Sequence, residues 1–257
     1  MKKPLILITN DDGIKAKGLQ ALIDVMKNIG KVVVVASEES MSGKGHSITI
    51  RTPLRIKPVI TENGYEKYST NGTPVDCVKL GEQVILKQKP DLLVSGINHG
   101  SNATVNIIYS GTMAAVLEAC IDEIPAIGFS LLDYTSDADF EPSKKHIKTI
   151  TENVLKKGLP KGVCLNVNIP AVKESEIKGV KVCRQADARW VEVFDERKDP
   201  HNNNYYWLTG RFEKRESNNE TDQWALENNY ISLVPVHYDF TAHKALPEIT
   251  KWKFDVK

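Results

Sequence analysis

The chain has 257 residues, of which 41% are hydrophobic and 26% charged, and its formal net charge at pH 7 is +1. This is the make-up of an ordinary soluble globular protein, long enough for one large α/β domain or a domain with an extension. Near-neutrality excludes a global pull towards nucleic acid or an anionic membrane, so phosphate recognition would have to be local. The Pro4–Ile8 stretch is too short for a signal peptide and runs straight into Asn10-Asp11-Asp12, and no apolar run has transmembrane length. The expected location is therefore the cytoplasm, with no membrane and no nucleic-acid duplex as partner. Cys77, Cys120, Cys164 and Cys183 are scattered without CxxC spacing, which argues for buried reduced thiols and against zinc or redox motifs.

In chain order, Leu5–Thr9 reads as a first buried strand, and Gly18–Ile29 as a helix with Leu19, Leu22, Ile23 and Met26 on one face. Lys31–Ala36 carries four consecutive valines, which suits a strand covered on both sides. Arg51–Tyr68 alternates polar and apolar residues around Glu62-Asn63-Gly64, a hairpin signal. Leu92–Ser95 is a third parallel-type strand, Gly111–Ile121 a helix rich in Ala, Met, Leu and Glu, and Pro125–Leu131 a fourth strand. A helix at about 144–157 and a strand at Gly162–Ile169 follow. Strands alternating with helices predict a mostly parallel, doubly wound sheet. Beyond Arg184 the pattern changes to strands at Arg189–Phe194, Tyr205–Leu208 and Tyr230–Val234, joined by very polar stretches at Asp195–Asn204 and Glu213–Gln223. That part reads as an extension that leaves the core and returns, a shape suited to exchange between subunits.

Four polar clusters stand where a parallel sheet places its ligands, at the carboxyl ends of strands or the start of a helix. They are Asn10-Asp11-Asp12-Gly13, Ser40 to Ser47, Ser95 to Asn102, and Tyr109-Ser110-Gly111-Thr112. Two adjacent acids repel and are costly to desolvate unless a cation neutralises them. Carboxylate, hydroxyl and carboxamide oxygens suit Mg²⁺, Mn²⁺ or Ca²⁺ better than zinc. Asp11 and Asp12 supply charge, and Ser42 and Asn98 can complete a site. Ser110-Gly111-Thr112 offers hydroxyls and free amides at a helix N-terminus, which favour an anion. Taken singly, each cluster has an ordinary reading: a capped turn, a mobile loop, a helix cap, or a hydrogen-bonded histidine at His46 or His99. Together, a hard cation beside an anion pocket is equipment for phosphoryl-ester hydrolysis.

These clusters, in this order, closely resemble the SurE family of survival-protein nucleotidases. The resemblance rests on Asn10-Asp11-Asp12-Gly13, Ser42-Gly43, Asn71 to Val78 (with Gly72-Thr73-Pro74 and Asp76-Cys77), Ser95 to Gly100 and Tyr109 to Thr112, and spans roughly residues 5–131. It implies a Rossmann-like, mostly parallel sheet with helices on both faces, within a single domain over residues 1–257. The α/β core would cover about 1–185, and a β-rich C-terminal oligomerisation extension, about 186–257, would be exchanged between subunits of a homodimer or homotetramer. The implied activity is a metal-dependent phosphomonoesterase that hydrolyses nucleoside 5′- and 3′-monophosphates to nucleoside and phosphate, with short-chain polyphosphate a substrate of some members. The resemblance also implies one divalent ion per subunit, Mg²⁺ or Mn²⁺ first and Ca²⁺ acceptable in a crystal, on the residues matching Asp11, Asp12, Ser42 and Asn98. Residues matching Asn10, Asn102, Ser110, Gly111 and Thr112 would surround the phosphate. The chain departs from some members at Glu38-Glu39-Ser40-Met41, where they carry an arginine shortly before the Ser-Gly pair.

The expected chemistry is in-line attack of water on phosphorus. Asp11 would bind the ion and accept a proton, while Asn10, Asn102 and the Ser110–Thr112 amides stabilise the equatorial oxygens. A covalent aspartyl-phosphate phosphatase would need Asp-x-Asp, whereas these acids are adjacent. A phosphate-receiving signalling module would need a third acid where Ser95 to Asn98 stand, and no Gly-x-Gly-x-x-Gly follows the first strand to support a dinucleotide enzyme. Base preference, 5′ against 3′ preference, the native metal, dimer against tetramer, and the roles of His46 and His99 are left open at this level.

Overall fold

The computed structural model describes residues 3–59 and 64–254. Its strands are β1 (Leu5–Thr9), β2 (Lys31–Ser37), β3 (Ile56–Pro58), β4 (Glu66–Thr70), β5 (Leu92–His99), β6 (Ala126–Leu131), β7 (Val163–Ile169), β8 (Val180–Val182), β9 (Ala188–Lys198), β10 (Asn204–Lys214) and β11 (Ile231–His237). The helices that matter below are α1 (Lys17–Met26), α2 (Pro74–Leu80), α3 (Gly111–Ile121), α4 (Glu141–Lys157) and α5 (Asp222–Glu227).

Nine strands form one sheet in the order β3-β4-β2-β1-β5-β6-β7-β11-β8. From β4 to β7 all neighbours are parallel; β3 runs antiparallel to β4, and β11 runs antiparallel to β7 but parallel to β8. The alternation of β1 decides which side each helix covers. Ile6 and Ile8 face a core shared with Leu19, Leu22 and Met26 of α1 and Ile147, Ile150 and Val154 of α4. Leu5 and Leu7 face the opposite core, with Val78 of α2 and Met113, Val116 and Ala119 of α3. A one-residue slip of β1 would exchange the two sets, so double-sided burial specifies the register. Each fully buried Leu, Ile or Met on these faces contributes about 1.5–3 kcal/mol. The expected mostly parallel sheet with helices on both faces is the observed one.

Several elements differ from expectation for identifiable reasons. β5 continues through Asn98 to His99, with a register shift against β6 between Ser95 and Asn98, so the polar run sits in a bulged strand. α2 is not apparent from periodicity; it starts from a reciprocal cap in which Thr73 and Asp76 satisfy each other's backbone N–H groups. The polar stretch Asp195–Asn204 is strand at both ends and turn between, because β9 and β10 pair antiparallel from Ala188 with Lys214 to Lys198 with Asn204. The Asn-Gly signal at Glu62-Asn63-Gly64 falls mostly outside the described residues, and the flanking β3 and β4 are indeed antiparallel. Among the described residues no helix is long and apolar enough to cross a membrane.

The β9–β10 ribbon forms its own two-stranded sheet. Val193, Phe194, Tyr206, Trp207 and Leu208 on it are exposed. The chain then returns through α5 and β11, and Asp222 fastens that return. Its carboxylate accepts the backbone N–H of Thr104 (2.8 Å), Ala186 (2.9 Å) and Gln223 (2.8 Å).

Candidate active site

The carboxyl ends of β1 and β5, the loop after β2 and the N-terminus of α3 meet at one edge of the sheet. Asp11, just beyond β1, is the most constrained group there, with 4% of its surface exposed. The Thr112 hydroxyl donates to Asp11 Oδ1 at 2.5 Å. A Cβ on Gly111 would lie 2.8 Å from Asp11 Cβ and 3.0 Å from Oδ2, so α3 approaches this closely because its first residue lacks a side chain. The anion at the N-terminus of α3 is thus the protein's own carboxylate. Burial pushes the Asp11 carboxyl up to about 6, against the pull of the Thr112 hydrogen bond, and the neighbouring Asp12 charge adds to the rise. Asp12 is only partly buried; burial raises its carboxyl too, opposed by the His99 N–H that reaches Oδ2 at 3.2 Å.

Asn10 is fully buried and does not line the cleft described below. Its Nδ2 donates to Gly13 O at 3.0 Å, holding the turn that aims the two acids. Gly13, at φ +97°, lets the following loop come close: a Cβ there would sit 3.2 Å from the Glu39 carbonyl carbon.

That loop carries Ser42. The Met41 N–H donates to Asp11 O at 2.7 Å, and the Ser40 and Ser42 hydroxyls are 3.0 Å apart. Further along, His46 Nε2 lies 2.8 Å from Glu118 Oε2 on α3, and Lys79 of α2 pairs with the same carboxylate. The Thr73 hydroxyl donates to Ser47 O at 2.7 Å. The loop is therefore pinned at both ends while exposed Ser42 stands at the rim. His46 is engaged as a tether and does not line the cleft, whereas His99 does, its ring edge-on to Phe140 at 5.0 Å.

Asn98 is aimed by the bulge in β5. Its Nδ2 donates to His99 O (3.1 Å) and Gly100 O (2.9 Å), which leaves Oδ1 as the acceptor outside those bonds. Asn102 belongs to a network of carboxamides: its N–H donates to Asn168 Oδ1 (2.8 Å), its Nδ2 to Ser130 Oγ (2.9 Å), and its carbonyl accepts from Asn166 Nδ2 (2.8 Å). Ser110 Oγ caps α3 by accepting the Met113 N–H at 3.0 Å. One cleft of about 260 Å³ gathers Asp11, Ser42, Asn98, His99, Asn102 and Ser110 on its walls.

Asn166, Asn168, Ser130, Glu118 and Asp222 escaped the sequence reading. The two asparagines did leave a signal, since Asn-x-Asn inside an apolar strand puts both carboxamides on one face. Asp222 left none, because its partner Thr104 is 118 residues away. Gly111 and Thr112, expected around the phosphate, pack against Asp11.

The donor set fits a hard divalent cation. Two neighbouring carboxylates, one almost wholly buried with its pKa raised, are short of positive charge, and Asn98 presents an unengaged carboxamide oxygen nearby. Among the described residues no group of three or more His, Cys, Asp or Glu stands together. An ion at this cleft would accordingly draw the rest of its protein donors from Ser42 and Asn98.

The sequence and the fold are shared with known proteins. The family description "Survival protein SurE" matches residues 6–192. A protein named 5′-nucleotidase SurE from Christiangramia forsetii is 57% identical over 99% of this chain and 98% of its own length. One of the same name from Bacteroides thetaiotaomicron is 47% identical over 96% of this chain and 95% of its own. The crystal structure of the SurE protein from Aquifex aeolicus superposes with a TM-score of 0.84 at 39% identity, covering 96% of this chain and 98% of that one. With the acidic turn, the bulged Ser-Gly-Ile-Asn strand and the glycine-led helix all inside the matched segment, the chain belongs to the SurE family.

Proposed function

We propose that the protein is a divalent-metal-dependent 5′-nucleotidase, a phosphomonoesterase that releases phosphate from nucleoside 5′-monophosphates, and that it also accepts 3′-monophosphates and short polyphosphate. The observation that carries this reading is Asp11: a buried carboxylate, forced up to about 6, on the wall of a cleft otherwise built of neutral oxygen and amide donors. The names of the close relatives point the same way.

Asp11, Asp12, Ser42 and Asn98 would hold one Mg²⁺ or Mn²⁺ per subunit. When bound, the ion would neutralise the acids and polarise the phosphate. The remaining work falls to the chain itself. Thr112 and Gly111 fix the Asp11 carboxylate, whose oxygen outside the Thr112 bond is the base for the attacking water. Asn102 keeps one amide hydrogen beyond its bond to Ser130, and the Ser110 hydroxyl hydrogen is free because its oxygen acts as the cap acceptor; both would serve phosphate oxygens. Asn10 acts one step back, through the turn.

The exposed apolar side chains of β9–β10, and those of Phe240, Leu246, Trp252 and Phe254 near the C-terminus, support a homodimer or homotetramer assembled through an exchanged extension of about 186–257. Four free, buried cysteines support a reducing, cytoplasmic setting.

The test is phosphate release from a panel of nucleoside 5′- and 3′-monophosphates and tripolyphosphate, with Mg²⁺, Mn²⁺ or chelator. Metal-dependent release from the 5′-monophosphates is expected. Equal release in excess chelator, or no release with any ion, sinks the reading.

A further inference from the structure

Serine and asparagine are mostly surface residues, yet β6 and β7 bury three of them towards their carboxyl ends. Ser130 and Asn168 are fully buried and Asn166 nearly so. Register sets Asn168 of β7 beside Ser130 of β6, and Ser130 beside Asn98 of β5. Asn166 and Asn168 alternate with Leu165 and Val167, so the two carboxamides share one face of β7.

With the Asn102 backbone these carboxamides close a ring. The Asn102 N–H donates to Asn168 Oδ1 at 2.8 Å, Asn168 Nδ2 to Asn166 Oδ1 at 3.0 Å, and Asn166 Nδ2 to the Asn102 carbonyl at 2.8 Å. The backbone dictates its sense. An N–H only donates and a carbonyl only accepts, so flipping either carboxamide sets like groups face to face. The ring engages both main-chain groups of Asn102, and Ser130 Oγ takes one hydrogen of its side-chain amide at 2.9 Å. The other amide hydrogen stays free on a residue that lines the cleft, whereas Ser130, Asn166 and Asn168 do not line it. Burying polar side chains costs more than an apolar filling of the same space. What this arrangement secures is the place and direction of Asn102.

Resting on the nucleotidase reading above, we propose that Ser130, Asn166 and Asn168 are positioning residues for phosphoryl transfer, acting through the Asn102 amide. They hold one N–H direction on the phosphate oxygen that gains charge in the transition state, where angular error weakens the bond steeply.

The experiment measures kcat and KM for adenosine 5′-monophosphate in Asn102→Ala, Ser130→Ala and Asn168→Asp, and in Asn102→Ala combined with each of the other two. Asn168→Asp keeps the shape and the acceptor for Asn102 but has no N–H to give Asn166. Asn102→Ala should lower kcat about 100-fold and each of the others about tenfold, with KM within about twofold. In the double variants the second change should cost less than about twofold, because the amide it would misplace is gone. The Mn²⁺-dependent gain in melting temperature should match wild type throughout, since Asn98 is anchored to His99 and Gly100 and not to the ring. Full activity in any single variant, losses that multiply in the double variants, or a Mn²⁺ gain that disappears overturns the positioning role and leaves the nucleotidase reading standing. If Asn168→Asp does not fold, Ser130→Ala, which deletes a single oxygen, decides by the same criteria. A wild-type protein that releases no phosphate overturns the nucleotidase reading, and the positioning role falls with it.

Discussion

Strand-forming apolar residues build both β2, with four valines, and the β9–β10 ribbon, with valines and aromatics, and the outcomes are opposite. Val32 to Val35 are buried between two helical layers, whereas Val193, Phe194, Trp207 and Leu208 are exposed. In the sheet, register follows from having two faces to bury. In the ribbon it follows from cross-strand pairing and from the turn, where Asp199 Oδ1 accepts the N–H groups of His201 (2.8 Å) and Asn203 (2.9 Å) and Asn202 takes φ +66°. Strand formation therefore needs no core, but rigidity does. The acids and carboxamides sit on the part whose positions are over-determined by packing, and the ribbon leaves its apolar side chains exposed.

Shortening the ribbon is the most drastic way to probe this contrast. Joining Val191 to Arg211, which face each other across β9 and β10, removes the outer strands at a closed rung. The protein should stay folded and light scattering should report a smaller assembly; an unchanged mass would contradict the assigned role of the ribbon. On the rigid side, Gly111→Ala drives a methyl into Asp11, at 2.8 Å from its Cβ. Activity should fall about 100-fold, as for an ångström-scale misplacement of a reacting group, and near-normal turnover would show that the close approach of α3 is incidental. Asp222 joins the two regions. Asp222→Ala leaves three backbone N–H groups without their acceptor, among them that of buried Thr104, and should cost about 2–4 kcal/mol in urea unfolding. An unchanged midpoint would mean that the extension is held by its other contacts.

The smallest effect concerns the tether of the Ser42 loop. The hydrogen bond from His46, then that from Lys79, hold the Glu118 carboxyl below its usual 4.5 against the opposing effect of burial. A folded-state value below the unfolded one means stability that is present above 4.5 and is lost as pH falls through the folded value. Wild type should exceed Glu118→Gln by about 1 kcal/mol or less at neutral pH, and that margin should shrink on acidification below pH 4.5. A margin independent of pH would remove the ion pairs from the account.

The central sheet was legible because uninterrupted apolar runs such as Val32–Val35 have few alternatives to a doubly covered strand. The oxygen-rich clusters after those runs were legible too, and Asp11, Ser42, Asn98, Asn102 and Ser110 do converge on one cleft. Local pattern could not show what each group touches. Thr112 looks like a free hydroxyl at a helix start until α3 is seen to close on Asp11, and the bond of the Asn10 amide to Gly13 within the turn is equally invisible in the pattern. α2 is hidden because Pro74-Val75-Asp76 reads as a turn, and its cap works only when Thr73 and Asp76 are paired. Asp222 is beyond any local signal, since two of its three backbone partners, Thr104 and Ala186, lie 118 and 36 residues away.

Asp11→Asn tests the account most directly, read out by phosphate release and by thermal unfolding with and without Mn²⁺. Wild type should gain stability from the ion, because only the folded chain binds it. The variant should remain folded, with a melting temperature equal to or above that of metal-free wild type, since a buried carboxylate has been neutralised. It should lose the Mn²⁺-dependent gain, and its activity on adenosine 5′-monophosphate should fall by about three orders of magnitude or more. A folded Asp11→Asn protein with full, metal-dependent activity would contradict the assignment of this cleft as the catalytic site.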